Sequence, residues 1–102
     1  LASDKVLSLI GIATKAGKVS SGEFSTEKSI KSGKAFLVII ADDASANTKK
    51  KFTNMCRFYK VPICTYGTKE ILGNRLNKAQ RASLAIQDAG LGATVLKHVN
   101  QV

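Results

Sequence analysis

Ala35-Phe36-Leu37-Val38-Ile39-Ile40-Ala41 is an unbroken apolar run between Gly33-Lys34 and Asp42-Asp43. A run of this kind, rich in β-branched residues, reads as a central strand buried on both faces. Such a strand needs cover above and below, so helices must pack on both sides of its sheet.

The flanking sequence supplies them. Ser3 or Asp4 can open a first helix to about Ala16, with Val6, Leu7, Ile10 and Ala13 in one stripe and Leu9 and Ile12 widening it. Gly11 inside that helix costs about 1 kcal/mol relative to alanine, which predicts a close helix contact there. Gly17 is the expected C-cap, and Lys18-Val19-Ser20 a very short strand. Ser21 is the expected N-cap of a second helix, which Gly33 ends in a left-handed turn.

A third helix is expected from about Ala46 to Lys60. Phe52, Met55, Cys56 and Tyr59 form its core stripe, with Lys50, Thr53 and Arg57 on the far side. Val61 to Tyr66 reads as a strand, with Pro62 where a missing N–H is tolerated. Thr68 caps a short helix to about Leu76, Asn77 to Gln80 form a loop, and Arg81 to Ile86 form another strand. Asp88 to Gly92 read as a turn before a last helix, Ala93 to Val99, whose Val95, Leu96 and Val99 point inward. Helices alternating with short strands predict a single domain, a three-layer α/β/α sandwich with a mixed sheet of about four strands.

Charge narrows the function. Sixteen Lys+Arg against seven Asp+Glu give a net charge of +9 on 102 residues. That balance is the electrostatic footprint of a polyanion binder; the alternative is lysines that serve solubility alone. Thirteen of the sixteen cations are lysine, which suits phosphate neutralisation better than bidentate base reading. No apolar run approaches the ~20 residues of a membrane span. The opening Leu-Ala-Ser-Asp-Lys-Val lacks the basic start of a signal peptide, so a cytoplasmic location is expected.

Catalysis finds little support. Cys56 and Cys64 match no zinc spacing and read as small core hydrophobes. His98, the only histidine, reads as surface polar. Gly17 to Gly22 fails the order of a phosphate loop, because Glu23 follows Gly22 where a lysine is required. Asp42 and Asp43 could hold a magnesium ion, but no third carboxylate lies at strand-end spacing. They read better as a loop start that complements the N-terminus of the third helix. No enzyme activity, metal or cofactor is expected.

The second helix carries the functional candidates. At 100° per residue, Phe24, Glu27, Lys28 and Lys31 fall on one side and Thr26, Ser29 and Ile30 on the other. The second side can lie on a sheet. The first then displays an aromatic ring between lysines at an open helix N-terminus, which favours anions. Lys18, Ser21, Gly22, Glu23, Phe24, Ser25, Lys28 and Lys31 form one candidate RNA-binding segment; the loop Lys78-Ala79-Gln80-Arg81-Ala82 forms the other. A glycine allows close backbone approach, lysines bind phosphate and an exposed ring can stack a base. The alternatives are that Phe24 packs on a neighbouring loop or the first helix, and that the lysines are a solvated face.

The order of these pieces resembles a known family. Ile30-x-x-Gly33-Lys34-Ala35, then Leu37 to Ala44, Val61-Pro62-Ile63, Leu72-Gly73 and Ala82 to Ile86 are similar to the kink-turn-binding ribosomal protein superfamily across nearly the whole chain. Gly17-Lys18-Val19, Ser21-Gly22-Glu23, Asp43-Ala44-Ser45 and Asn47-Thr48-Lys49-Lys50 look most like its bacterial YlxQ-type members. The resemblance implies a three-layer α/β/α fold and a non-enzymatic, ribosome-linked role on structured RNA. It matches Gly22 to the family's helix-start glycine and Lys28 to its RNA-contacting lysine. The loop around Ala79 to Ala82 matches the one that packs against a flipped-out nucleotide. One departure matters. Where kink-turn readers carry adjacent Asn and Glu for sheared G·A pairs, this chain has Phe24 and Ser25. A monomer on structured, ribosomal RNA is expected, with an RNA-recognition or protein-interaction adaptor lacking kink-turn specificity as the alternative.

Overall fold

A computed structural model describes residues 4–101. In chain order it contains α1 (Lys5–Lys15), β1 (Val19–Ser21), α2 (Glu23–Lys31), β2 (Leu37–Ile40), α3 (Ala46–Tyr59), β3 (Ile63–Thr65), α4 (Lys69–Arg75), β4 (Ser83–Ile86) and α5 (Ala89–Asn100). One four-stranded sheet has the order β1-β4-β2-β3. β4 runs antiparallel to both neighbours, with Ala85 opposite Ser20 on one side and Val38 on the other. β2 and β3 are parallel, with Ile39 opposite Cys64. A parallel pair needs a crossover connection, and α3 provides it.

The sandwich is as expected. α2 and α3 lie side by side on one face, while α1, α4 and α5 cover the other. Every residue of β2 and β4 is buried, so the apolar run is indeed covered on both faces. The ladder occupies only its middle: Ala35 and Ala41 are buried beside it, whereas Phe36 is exposed.

Several local expectations change. The stripe of α3 holds at Phe52 and Cys56, which are buried, and fades at Tyr59, which is 40% exposed. A 14-residue helix is about 21 Å long and a four-residue strand about 13 Å, so the last turn of α3 overruns the sheet. Tyr59 there meets the ring of Phe58 edge-on, with centroids 4.9 Å apart. In α1, Asp4 is the N-cap, accepting from the Leu7 N–H at 2.9 Å; Ser3 lies outside the described residues. No helix presses on Gly11, because a Cβ there would meet nothing within 4 Å. Gly11 and the exposed Ile12 border a groove facing Asn74 and Arg75 of α4.

α5 begins at Ala89, within the stretch read as a turn. Asp88 caps it, accepting from the Leu91 N–H at 2.8 Å. Gly92 is buried against the entrance to β2, where a Cβ would lie 3.4 Å from that of Phe36, at ordinary contact distance. Val95 is buried, Leu96 and Val99 are half-buried, and so is His98, which had read as surface polar. Asp43 serves α4 and not α3, accepting from the Lys69 N–H at 2.8 Å, while Ser45 caps α3. Burial pushes the Cys56 and Cys64 thiols up to about 11, so both remain protonated near neutrality.

Tyr66, just past β3, joins the start of α1 to the sheet by donating to Asp4 at 2.6 Å. Burial and then the Asp4 hydrogen bond push the Tyr66 phenol up to about 12. Burial alone would raise Asp4, but the bonds from Tyr66 and from backbone N–H groups outweigh it and hold its carboxyl below the ordinary value.

Candidate functional site

α2 starts without a side-chain cap. Ser21, the expected cap, is the last residue of β1, and Gly22 takes the capping position with φ 92° and ψ 163°. L residues rarely adopt that backbone, so glycine is required for the chain to swing from strand to helix there. The Gly22 N–H donates to the Ser83 carbonyl and its own carbonyl accepts from the Thr26 N–H, both at 2.9 Å. One residue thus closes the sheet ladder and opens the helix. The N–H groups of the first turn are left without a side-chain acceptor, an electropositive end.

The sheet side of α2 is unusually polar. Thr26, Ser29 and Ile30 are buried as their spacing predicts, and the Ser83 hydroxyl donates to the Thr26 hydroxyl at 3.1 Å. Directional bonds of this kind fix the rotation of the helix as well as its distance. Rotation decides what points outward: Phe24, 78% exposed. Neither a neighbouring loop nor α1 covers its ring.

The loop 78–82 is held firmly from below. The Lys78 N–H donates to the Gly73 carbonyl at 2.8 Å and the Arg81 N–H to the Lys69 carbonyl at 3.0 Å. A Cβ on Gly73 would overlap the Ala79 carbonyl, so only glycine lets α4 lie under the loop. Asn77 turns into the loop with φ 58°. Lys78, Ala79 and Gln80 are exposed, while Arg81 and Ala82 are half-buried.

Arg81 joins the two candidate segments. Its Nε donates to the Ser21 hydroxyl at 3.2 Å, and one terminal nitrogen donates to the Gln80 carbonyl at 3.0 Å. A Cβ at Gly22 would lie 3.9 Å from the same Nε, so the arginine lies across the start of α2. Segments 60 residues apart in sequence form one surface.

The charges on this surface sort into paired and available. Lys51 of α3, absent from the sequence-level candidates, bridges Glu23 at 2.7 Å and Glu27 at 2.8 Å. Lys31 reaches back to Glu27 at 2.7 Å. Hydrogen bonds from Lys31 and then Lys51 lower the Glu27 carboxyl to about 2; the bond to Glu27 raises Lys31, and the bonds to Glu23 and then Glu27 raise Lys51. This group of four sums to zero charge and ties α2 to α3. Lys28 belongs to none of the ion pairs among the described residues and stays exposed beside Phe24. Phe24, Glu27, Lys28, Lys31 and Ser32 line a shallow, mostly apolar groove of about 390 Å³. Lys18 is exposed, with its backbone carbonyl accepting from the Gln87 N–H at 2.7 Å.

Residues 4–96 match the family described as "Ribosomal protein L7Ae/L30e/S12e/Gadd45 family". The chain belongs to this family. Its similarity to the RNA-binding protein YlxQ of Bacillus subtilis is 42% identity over 82 residues, spanning 80% of this chain and 82% of that one. It is also 32% identical over 98 residues to the large ribosomal subunit protein eL8 of Thermoplasma volcanium, covering 95% of this chain and 81% of the relative. Among solved structures, a protein with unknown function from Bacillus halodurans C superposes with TM-score 0.92 at 32% identity, covering 96% of this chain and 99% of that one. The Giardia lamblia 15.5kD RNA binding protein superposes with TM-score 0.80 at 27% identity, covering 100% and 91%. Among the described residues no helix is long and apolar enough to cross a membrane, and no group of three or more His, Cys, Asp or Glu could hold a metal ion.

Proposed function

We propose that this chain is a small cytoplasmic, ribosome-associated protein that binds structured, kink-turn-like RNA as a monomer and catalyses no reaction. The observation that carries the reading is the Arg81 bridge from loop 78–82 to Ser21 and Gly22. It makes one basic surface of an uncapped helix end, an exposed ring and a rigid loop. The names of the relatives support it: an RNA-binding protein, a large-subunit ribosomal protein and a second RNA-binding protein. In this reading the first-turn N–H groups and Lys28 meet phosphates, Phe24 stacks on an unpaired base, and Lys78 and Arg81 hold the strand that leaves it. Arg81, already fastened to Ser21, acts mainly as a fixed cation at the loop.

Phe24 and Ser25 stand where kink-turn readers place a base-reading pair, so the surface recognises shape and an unstacked base more than sheared G·A edges. The test is titration of the protein with a kink-turn RNA and with the same RNA carrying Watson–Crick pairs in place of the G·A pairs, at several salt concentrations. Affinity for both is expected to fall steeply with salt, with a modest preference for the kinked RNA. Binding indifferent to salt would end the polyanion reading and favour a protein-interaction adaptor anchored by Phe24.

A further inference from the structure

Beyond the helix start, on the flank of α2 that faces the β1 edge, lies a second pocket of about 370 Å³. Its lining includes Ser20 of β1, Phe24, Lys28 and Ser29 of α2, Lys34 beyond it and Gln87 at the end of β4. Unlike the apolar groove around Glu27, it is mostly polar, and its polar groups are organised from within. The Gln87 side-chain amide donates to the Ser29 hydroxyl at 2.7 Å and to the Ser20 hydroxyl at 2.9 Å. Its backbone N–H is fixed on the Lys18 carbonyl at 2.7 Å, so the residue is held at its backbone as well as at its side-chain nitrogen.

That arrangement determines which functions are free. A serine hydroxyl that accepts a hydrogen bond keeps its own proton to donate. Among the described residues neither the Ser20 nor the Ser29 hydroxyl donates to a protein group, and the Gln87 carbonyl oxygen accepts from none. Two donors and one acceptor are therefore available in a pocket whose wall includes an aromatic ring. Ser29, only 3% exposed, lies at the floor of the pocket, and the half-buried Ser20 lies nearer its rim. Lys28 and Lys34, both exposed, add positive charge at the rim.

We propose that this pocket receives one unpaired RNA nucleotide. The base stacks on Phe24, its polar edge meets the Ser20 and Ser29 hydroxyls and the Gln87 carbonyl, and Lys28 and Lys34 hold the flanking phosphates. The inference rests on the RNA-binding reading and adds to it where base discrimination resides. In place of a pair of base-reading side chains at the helix start, this chain reads a base further along α2, through hydroxyls aimed by an amide from β4.

The test uses the full chain and a duplex RNA with a single-nucleotide bulge, compared with the same RNA carrying an abasic residue at the bulge. Native protein is expected to prefer the bulged RNA and to rank the four bases at that position unequally. Gln87→Met keeps the side-chain length and removes the amide; it should lower affinity for the bulged RNA about five- to tenfold and leave the abasic RNA unaffected. Ser20→Ala, at the half-buried rim, should show the same pattern more weakly and serves if Gln87→Met does not fold. Lys28→Ala should weaken both RNAs. If both pocket variants bind both RNAs as the native protein does while Lys28→Ala weakens them, the pocket inference is wrong and the RNA-binding reading stands. If the native protein binds a kink-turn RNA but neither bulge RNA, the pocket inference is wrong and the RNA-binding reading stands; if it binds none of these RNAs, both are overturned together.

Discussion

α2 and α3 lie next to each other on the same face of the sheet, and each carries lysines and an exposed phenylalanine. They differ at their ends. Ser45 seals the start of α3 by accepting from the Thr48 N–H at 3.1 Å, whereas Gly22 leaves the start of α2 open. Phe58 rests against Tyr59, at the overhanging end of its helix. Phe24 stands on the first turn of α2, between an uncapped helix end and an available lysine. Exposure of a phenylalanine is thus poor evidence of function on its own. What distinguishes α2 is the coincidence of ring, free backbone donors and unpaired charge.

The sharpest way to break this contrast is to remove each ring. Phe24→Ala should cost roughly 1–3 kcal/mol of RNA affinity with little loss of stability. Phe58→Ala should change affinity and stability by no more than about 0.5 kcal/mol. Equal effects in an anisotropy titration would erase the distinction. Next in size is the cap: Ser45→Ala should lower the stability of the fold by about 1 kcal/mol in urea unfolding and leave RNA binding unchanged.

The lysines give a finer test. Lys28→Ala should reduce the salt slope of binding by about one phosphate's worth, close to 0.7–0.9 in log–log terms. Lys31→Ala, whose partner Glu27 lies 2.7 Å away, should reduce it distinctly less. The smallest effect concerns the tie between the helices. Glu27 is held at about 2 by Lys31 and then Lys51, below its usual 4.5. A lowered acid pKa means that its contribution is present above 4.5 and is lost as pH falls towards 2. The pair is surface-exposed, so a native–Glu27→Gln difference in melting temperature should be small near neutrality and vanish over that acid range.

Periodicity carried most of the architecture. The apolar run at β2 demanded cover on both faces, and the two sides of α2 were already sorted by spacing, down to the exposure of Phe24. The misread places share a cause: the deciding contact lies far away in sequence. Gly90 and Gly92 look like helix breakers, yet Gly92 is buried against Phe36 and Leu37, far away in sequence, and α5 runs through both. Tyr59 fits a core stripe, and only the shortness of the strands below shows that the helix outruns them. Within the candidate site, Lys28 and Lys31 are equivalent on a helical wheel. The choice between them was made by Glu27, with Lys51 reinforcing it from another helix. Gln87 carried no local signal at all, since its hydrogen bonds to Ser20 and Ser29 arise only where the end of β4 passes beneath α2.

The glycine at position 73 has a consequence for timing. Because α4 and the loop 78–82 are fitted backbone to backbone, that part of the surface is held in one shape by the protein's own contacts. Docking on such a surface requires little ordering of the protein. Encounter would then be set by diffusion and charge attraction, and the lifetime of a complex by how slowly it lets go.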